Sequence, residues 1–148
     1  MKKPCLLVSA CLLGTPCRYD GRSKPHPAVA ALAERYTLVP VCPEEAGGLP
    51  TPREPSERQG DRVVSRSGED VTAAYRKGAE AALATAKACG AVATLLKERS
   101  PSCGCGEIYD GRFSGSLVPG DGVTAQLLKE NGIPVWGESA VEEGRNRL

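Results

Sequence analysis

Three short apolar runs in this chain each hand the backbone over to a loop that carries cysteine. Cys5–Ser9, reading Cys-Leu-Leu-Val-Ser, comes just before Cys11. Thr37–Val41 comes just before Cys42, and Ala91–Leu96 comes before the loop Ser100–Gly106, which holds Cys103 and Cys105. The runs are uncharged, too short for helices and without a 3.6-residue period, which predicts strands buried on both faces, as in a parallel sheet. Parallel neighbours need crossover connections, and helical patterns lie where crossovers belong. Pro27 suits a first helical position, followed by Ala28, Val29, Ala31, Leu32 and Ala33, with Tyr36 near the end. Asp70 is placed to cap a long helix whose apolar stripe runs through Val71, Ala74, Tyr75, Gly78, Ala82 and Cys89, with Gly90 as its C-terminal cap. Val123–Asn131 reads as another helix, closed by Gly132 and leading into a fourth strand, Ile133–Trp136. The order β-α-β-α-β-α-β predicts a single α/β domain over residues 1–148, with a mainly parallel, Rossmann-like sheet and helices on both faces.

The remaining segments are shorter. Leu12–Lys24 reads as a loop, and so does the Pro-rich stretch from Cys42 to about Gln59; structureless stretches of that length are usually functional or mobile. A short strand is expected at Arg62–Ser65, a ribbon at Ile108–Val118 turning at Asp110-Gly111, and a short helix over the last residues. No internal repeat or low-complexity tract interrupts the chain.

Charge and composition remove several function classes. With 19 basic against 18 acidic residues and a net charge of +1, nothing steers the chain toward nucleic acid or an anionic membrane. One Trp, one Phe and four Tyr leave few stacking platforms for a nucleic-acid strand. The opening Met-Lys-Lys is like the start of a signal peptide, but only Cys5–Ala10 follow before Cys11, Gly14 and Pro16, and no stretch approaches a membrane span. The expected location is cytoplasmic, where an odd count of seven cysteines does not read as a disulfide framework. Nothing in the pattern specifies an oligomeric state.

Sulfur is therefore expected to serve a metal or a reaction. In open α/β sheets ligands bind outside the carboxyl ends of the strands, where Cys11 with Cys17, Cys42, and Cys103 with Cys105 are all expected. Cys5 in a strand and Cys89 in a helix read as small buried apolar residues. Zinc is usually held by two C-x2-C pairs, and the spacings here are C-x5-C, a lone Cys and C-x-C. Iron–sulfur clusters also take thiolates from distant loops, and a redox or nucleophilic thiol is about as compatible with the spacing. His26 is the only histidine, so a Ser-His-Asp triad or a His-rich metal site has little to build on. Gly14–Gly21 lacks the lysine and the spacing of a phosphate loop.

Five motifs together carry a more specific signal: Ser9-Ala10-Cys11-Leu12-Leu13-Gly14, Cys17-Arg18-Tyr19-Asp20-Gly21, Val41-Cys42-Pro43-Glu44, Gly48-Leu49-Pro50-Thr51-Pro52-Arg53-Glu54-Pro55 and Ser100-Pro101-Ser102-Cys103-Gly104. In this order, over nearly the whole chain, they resemble the bacterial thiouracil desulfidase family in its short, single-domain form. The resemblance implies a 4Fe-4S cluster held by three cysteines, with one iron not bound by cysteine and free to take sulfur from a small-molecule thiolated base such as 2-thiouracil. It implies a hydrolytic, non-redox reaction in which the thiocarbonyl becomes a carbonyl and sulfide leaves. Cys11, Cys42 and Cys103 match the family's most regular cysteine positions, with Cys17 as the alternative third ligand. Glu44 matches the family's catalytic acidic residue and Ser100 a second catalytic position, as hydrogen-bond donor or proton relay. A cluster with three thiolates is anionic, so Arg18, Arg53, Lys97 and Arg99 are candidate cations around it, Arg53 foremost. The rival class is a metal-binding or sulfur-trafficking protein without turnover, which has no need of a proton-transfer pair such as Glu44 and Ser100 beside the thiols.

Overall fold

The computed structural model describes residues 3–144, so Met1 and Lys2 of the opening segment and the end of the expected last helix lie outside the described residues. Four strands form the central sheet: β1 (Cys5–Ser9), β2 (Thr37–Val41), β5 (Ala93–Leu96) and β8 (Val135–Gly137), in the order β2-β1-β5-β8. Every pairing is parallel, with Leu7 opposite both Val39 and Thr94, and Leu95 opposite Trp136. Side chains alternate across a strand, and β1 shows the consequence. Leu6 and Val8 pack with Val29, Leu32 and Leu95 in one core, while Leu7 packs with Ala82, Ala86, Leu96, Ala125 and Leu128 in the other. The first core is covered by α1 (Pro27–Ala30) and the 3-10 turn Ala31–Glu34 that continues it; the second by α3 (Thr72–Cys89) and α4 (Val123–Glu130). Among the described residues no helix is long and apolar enough to cross a membrane.

Small residues let the helices approach closely. α3 buries Gly78, Ala79, Ala82 and Ala86 and ends at Gly90, whose φ of 64° is left-handed, the conformation that glycine adopts without penalty. Its start differs slightly from expectation: Val71 occupies the cap position, while the Asp70 carboxylate accepts from the Thr72 backbone N–H at 2.9 Å. The last strand begins two residues later than expected, because Ile133 and Pro134 complete the turn out of α4. The expected short last helix is a 3-10 segment, Glu138–Gly144.

The stretch expected to be one loop from Cys42 to Gln59 is more ordered than that. It contains α2 (Pro43–Ala46) and strand β3 (Ser56–Gln59), which pairs antiparallel with β4 (Arg62–Ser65). Pro43 fits the first helical position, and Glu44 and Glu45 lie in the first turn, where their charge suits the helix dipole. A second small ribbon joins β6 (Glu107–Tyr109) to β7 (Leu117–Pro119) through the loop 110–116, wider than the expected turn at Asp110-Gly111.

α2 is a single turn, too short to be stable by itself, and its place is set by packing on α3. Two glycines make that packing possible. A Cβ on Gly78 would collide with the Pro43 carbonyl oxygen, and one on Gly47 with the Ala74 carbonyl oxygen. In an ordinary helix interior Gly→Ala is stabilising by about 1 kcal/mol. Gly78→Ala is expected to do the opposite, because backbone overpacking costs about 1–3 kcal/mol and more where no side chain is free to yield. Urea unfolding measures the sign directly, and an unchanged or raised midpoint would show that α2 is not seated on α3 in this way.

Candidate active site

The sheet reverses direction of growth at β1: the chain moves from β1 to β2 on one side and then crosses to β5 on the other. The carboxyl ends of β1 and β5 therefore diverge into a crevice, the usual ligand position in open α/β sheets. Here the crevice is a cavity of about 550 Å³ lined by Cys11, Cys17, Cys42, Cys103, Glu44 and Ser100, among others. Ser9 fastens its base, its hydroxyl accepting from the Lys97 backbone N–H at 2.9 Å and so tying the end of β1 to the end of β5.

Each thiol arrives from a different local structure. Cys11 lies in the 3-10 turn Ala10–Leu13, closed by Gly14 with φ 101°, and Cys17 follows in the loop beyond it. Cys42 is the residue before α2, and its Sγ lies 3.8 Å from the Cys17 carbonyl oxygen. Cys103 sits in a loop that caps α4: the backbone N–H groups of Val123 and Thr124 donate to the carbonyls of Pro101 and Ser102 at 2.9 and 2.8 Å. The Cys17 thiol is pushed up to about 11 by its contact with the Cys11 side chain and by burial, against an opposing contact with Cys42. Cys42 is raised by its contact with Cys17 and then by burial. Cys103, fully enclosed, is pushed up to about 12 by burial and by the Glu44 charge. Three sulfurs thus form a contiguous group, Cys11 to Cys17 to Cys42, and Cys103 lines the same cavity within reach of the Cys42 and Glu44 charges.

Glu44 is the most heavily bound carboxylate of the cavity wall. Its Oε2 accepts from Arg53 Nη2 at 2.6 Å and Nε at 3.1 Å, and from the Tyr75 hydroxyl at 3.2 Å. Its Oε1 accepts from the Ser100 hydroxyl at 3.3 Å. The Ser100 Oγ in turn accepts from the backbone N–H groups of Ser102 and Cys103, both at 3.1 Å. Arg53 also donates to the carbonyls of Cys17 and Pro50, at 3.2 and 3.1 Å. Burial works against the Arg53 charge, but Glu44 more than offsets it and holds the guanidinium above its ordinary value. The Tyr75 phenol is raised by burial and by the same carboxylate, so it stays protonated and donates.

Sequence reasoning placed Arg53 among four candidate cations, and the structure joins it to Glu44. Lys97 lines the same cavity but pairs with Glu138 at 2.9 Å. Tyr75 was hidden in the apolar stripe of α3: its ring belongs to that stripe, and only its hydroxyl reaches the site. Cys5 and Cys89 lie away from the cavity and touch one another at the far end of the sheet. Cys105 packs in the second core, with its Sγ 3.4 Å from the Val135 carbonyl oxygen.

Whether these residues suit an iron–sulfur cluster is a question of donors and space. Among the described residues no three metal-binding side chains converge on a point that would hold a single ion. What the cavity offers is four thiols in its lining, an all-sulfur donor set, and room for a group larger than one ion. That soft donor set fits a cluster.

The chain is similar to known proteins over nearly its whole length. The model of the family described as 2-thiouracil desulfurase matches residues 6–140. The uncharacterized protein YbbK of Bacillus subtilis (strain 168) is 45% identical over 148 residues, covering 93% of this chain and 98% of its own. The solved structure of a 4Fe-4S-dependent thiouracil desulfidase, TudS, is 51% identical with a TM-score of 0.88, covering 97% of this chain and 95% of that one.

The Arg53–Glu44 pair is nearly enclosed, with side-chain exposures of 8% and 15%. Removing one partner leaves the other charge buried, a loss of about 3 kcal/mol for such pairs. Arg53→Met is therefore expected to destabilise by that order, and Arg53→Met combined with Glu44→Gln by less than Arg53→Met alone. A double-mutant cycle in urea checks this. Strict additivity would show that the two charges are not coupled.

Proposed function

Because the chain belongs to the 2-thiouracil desulfurase family, we propose that its cavity converts a small thiolated pyrimidine, 2-thiouracil or a close analogue, into the corresponding carbonyl compound and sulfide. The change is hydrolytic: one C=S bond and one water give one C=O bond and hydrogen sulfide, with no electrons exchanged. Cys11, Cys42 and Cys103 are the thiolates that hold three irons of a 4Fe-4S cluster, the fourth iron having no cysteine. Cys17 is the alternative third ligand, favoured by its contact with both Cys11 and Cys42. Bound there, the cluster supplies an iron position open to the departing sulfur.

The protein's own contribution is proton handling beside that position. Water attacking the thiocarbonyl carbon must lose a proton, and Glu44 is the carboxylate placed to accept it. Arg53 and Tyr75 hold Oε2, which fixes the carboxylate plane and leaves Oε1 as the reactive oxygen. Ser100 donates to Oε1 and relays a proton once one of the two backbone N–H groups on its oxygen lets go. The observation that carries this reading is the Ser100–Glu44 hydrogen bond on the wall of a cavity lined by four thiols. A protein that only stores or passes sulfur uses thiols but has no work for this pair. Seven free thiols and a cluster of this kind suit the reducing cytosol, where we place the reaction.

Two measurements test the assignment. Cys11→Ala, Cys42→Ala and Cys103→Ala should each fail to hold about four iron on anaerobic reconstitution, whereas Cys5→Ala and Cys89→Ala should load normally. Iron binding lost in Cys17→Ala and kept in Cys42→Ala would make Cys17 the third ligand. With iron content matched, Glu44→Gln should release uracil from 2-thiouracil roughly two to four orders of magnitude more slowly than the unchanged protein, and Ser100→Ala should lose a comparable or smaller factor. Unaltered rates in both would remove the proposed acid–base pair. No turnover by the fully loaded unchanged protein would favour sulfur trafficking.

A further inference from the structure

Two residues other than glycine have a left-handed backbone among the described residues, Arg99 with φ 69° and Phe113 with φ 54°, and both line the cavity. Side chains bearing a Cβ are strained there, and such a conformation persists only where the surroundings hold it. For Phe113 the hold is visible. Glu57 on β3 sends one oxygen, Oε1, to the backbone N–H of Phe113 at 3.1 Å and to that of Gly111 at 3.0 Å. Gln59 donates to the Gly111 carbonyl at 2.7 Å, and the loop closes on itself through Asp110, which accepts from the Arg112 N–H and the Ser114 hydroxyl, both at 2.9 Å. Gly111 has to be glycine: its φ is 89°, and a Cβ there would press on Gln59 and the Arg58 carbonyl.

The outcome of this clamping is the position of one ring. Phe113 is the chain's only phenylalanine, it is half-buried, and it faces the same cavity as the thiols and Glu44. The Arg66 guanidinium, which lines the same cavity, lies over the ring, 5.7 Å from its centroid. An aromatic ring on a cavity wall is a stacking surface for a flat heterocycle. Nothing in the core requires Phe113, since it belongs to neither apolar cluster.

We infer that Phe113 is the stacking surface that selects a planar pyrimidine ring, and that Glu57 is the positioning residue that aims it. The inference rests on the desulfidase reading for the identity of the ligand. It adds how the site tells an aromatic thiocarbonyl from a non-aromatic one. Neither residue carried a functional signal in the sequence.

The test uses cluster-loaded protein and two non-reacting ligands, uracil and dihydrouracil, titrated calorimetrically under anaerobic conditions. Dihydrouracil keeps the carbonyl and N–H edges of uracil but loses its flat π-face. The unchanged protein is expected to prefer uracil by about tenfold, the order of one aromatic stacking contact. Phe113→Leu should erase most of that preference and Phe113→Tyr should keep it. Glu57→Ala should lower it, Glu57→Gln should restore part of it because an acceptor oxygen remains, and Phe113→Leu with Glu57→Ala should lose no more than Phe113→Leu. A thermal melt separates these effects from unfolding. An unchanged preference in Phe113→Leu, or no preference for uracil in the unchanged protein, overturns the inference. Release of uracil from 2-thiouracil is measured in parallel. Turnover together with a Phe113-independent preference sinks the stacking role alone, and a Phe113-dependent preference without turnover sinks the desulfidase reading alone.

Discussion

The guanidinium of Arg53 fastens together segments that would otherwise part. It grips Glu44 from the helix after β2, the Cys17 carbonyl from the loop after β1, and the Pro50 carbonyl of its own loop. Arginine suits this task because its donors form a rigid fork around one permanent charge, whereas lysine presents a single point. The position of Glu44 relative to the thiols therefore depends on a side chain from outside the central sheet. The interaction is strong because it is enclosed, and for the same reason neither partner is dispensable singly.

Beneath that clamp, the parallel sheet decides which loops meet. Placing β1 between β2 and β5 brings the residues after all three strands to one end of the molecule, although Cys11 and Cys103 are far apart along the chain. Local packing then sets the finer spacing. Gly47 and Gly78 allow α2 to rest backbone to backbone on α3, which fixes Cys42 and Glu44 in depth. Carbonyls of the Cys103 loop receive the first N–H groups of α4, so the loop is ordered by a helix it does not belong to.

How much of this was legible in the sequence depended on the range of the forces involved. β1 and β2 were readable to the residue because an uncharged apolar run has few other places to go. The end of α3 was readable because Gly90 is a local signal. α2 was not, since one turn closed by two glycines leaves no periodicity, and its stability comes from α3 rather than from itself. The thiols and Glu44 stood out by residue type and by their place after strands. Tyr75 did not, because a phenol in an apolar stripe looks like core until its hydroxyl is seen to reach a carboxylate. The Glu57 contact with the Phe113 N–H spans 56 residues and involves backbone strain, neither of which leaves a mark in one sequence.

The hydrogen bonds at Ser100 impose a direction. Two backbone N–H groups, those of Ser102 and Cys103, occupy the acceptor side of its oxygen, so its single hydrogen is left to point at Glu44. A hydroxyl held this way is polarised as a donor, and taking up a proton would require giving up a backbone contact first. One of those contacts comes from the amide of Cys103 itself, so any displacement of that cysteine's backbone also reorients the hydroxyl. The serine thus acts as a mechanical linkage between a sulfur-bearing loop and a carboxylate on a different segment, and what happens at one is felt at the other.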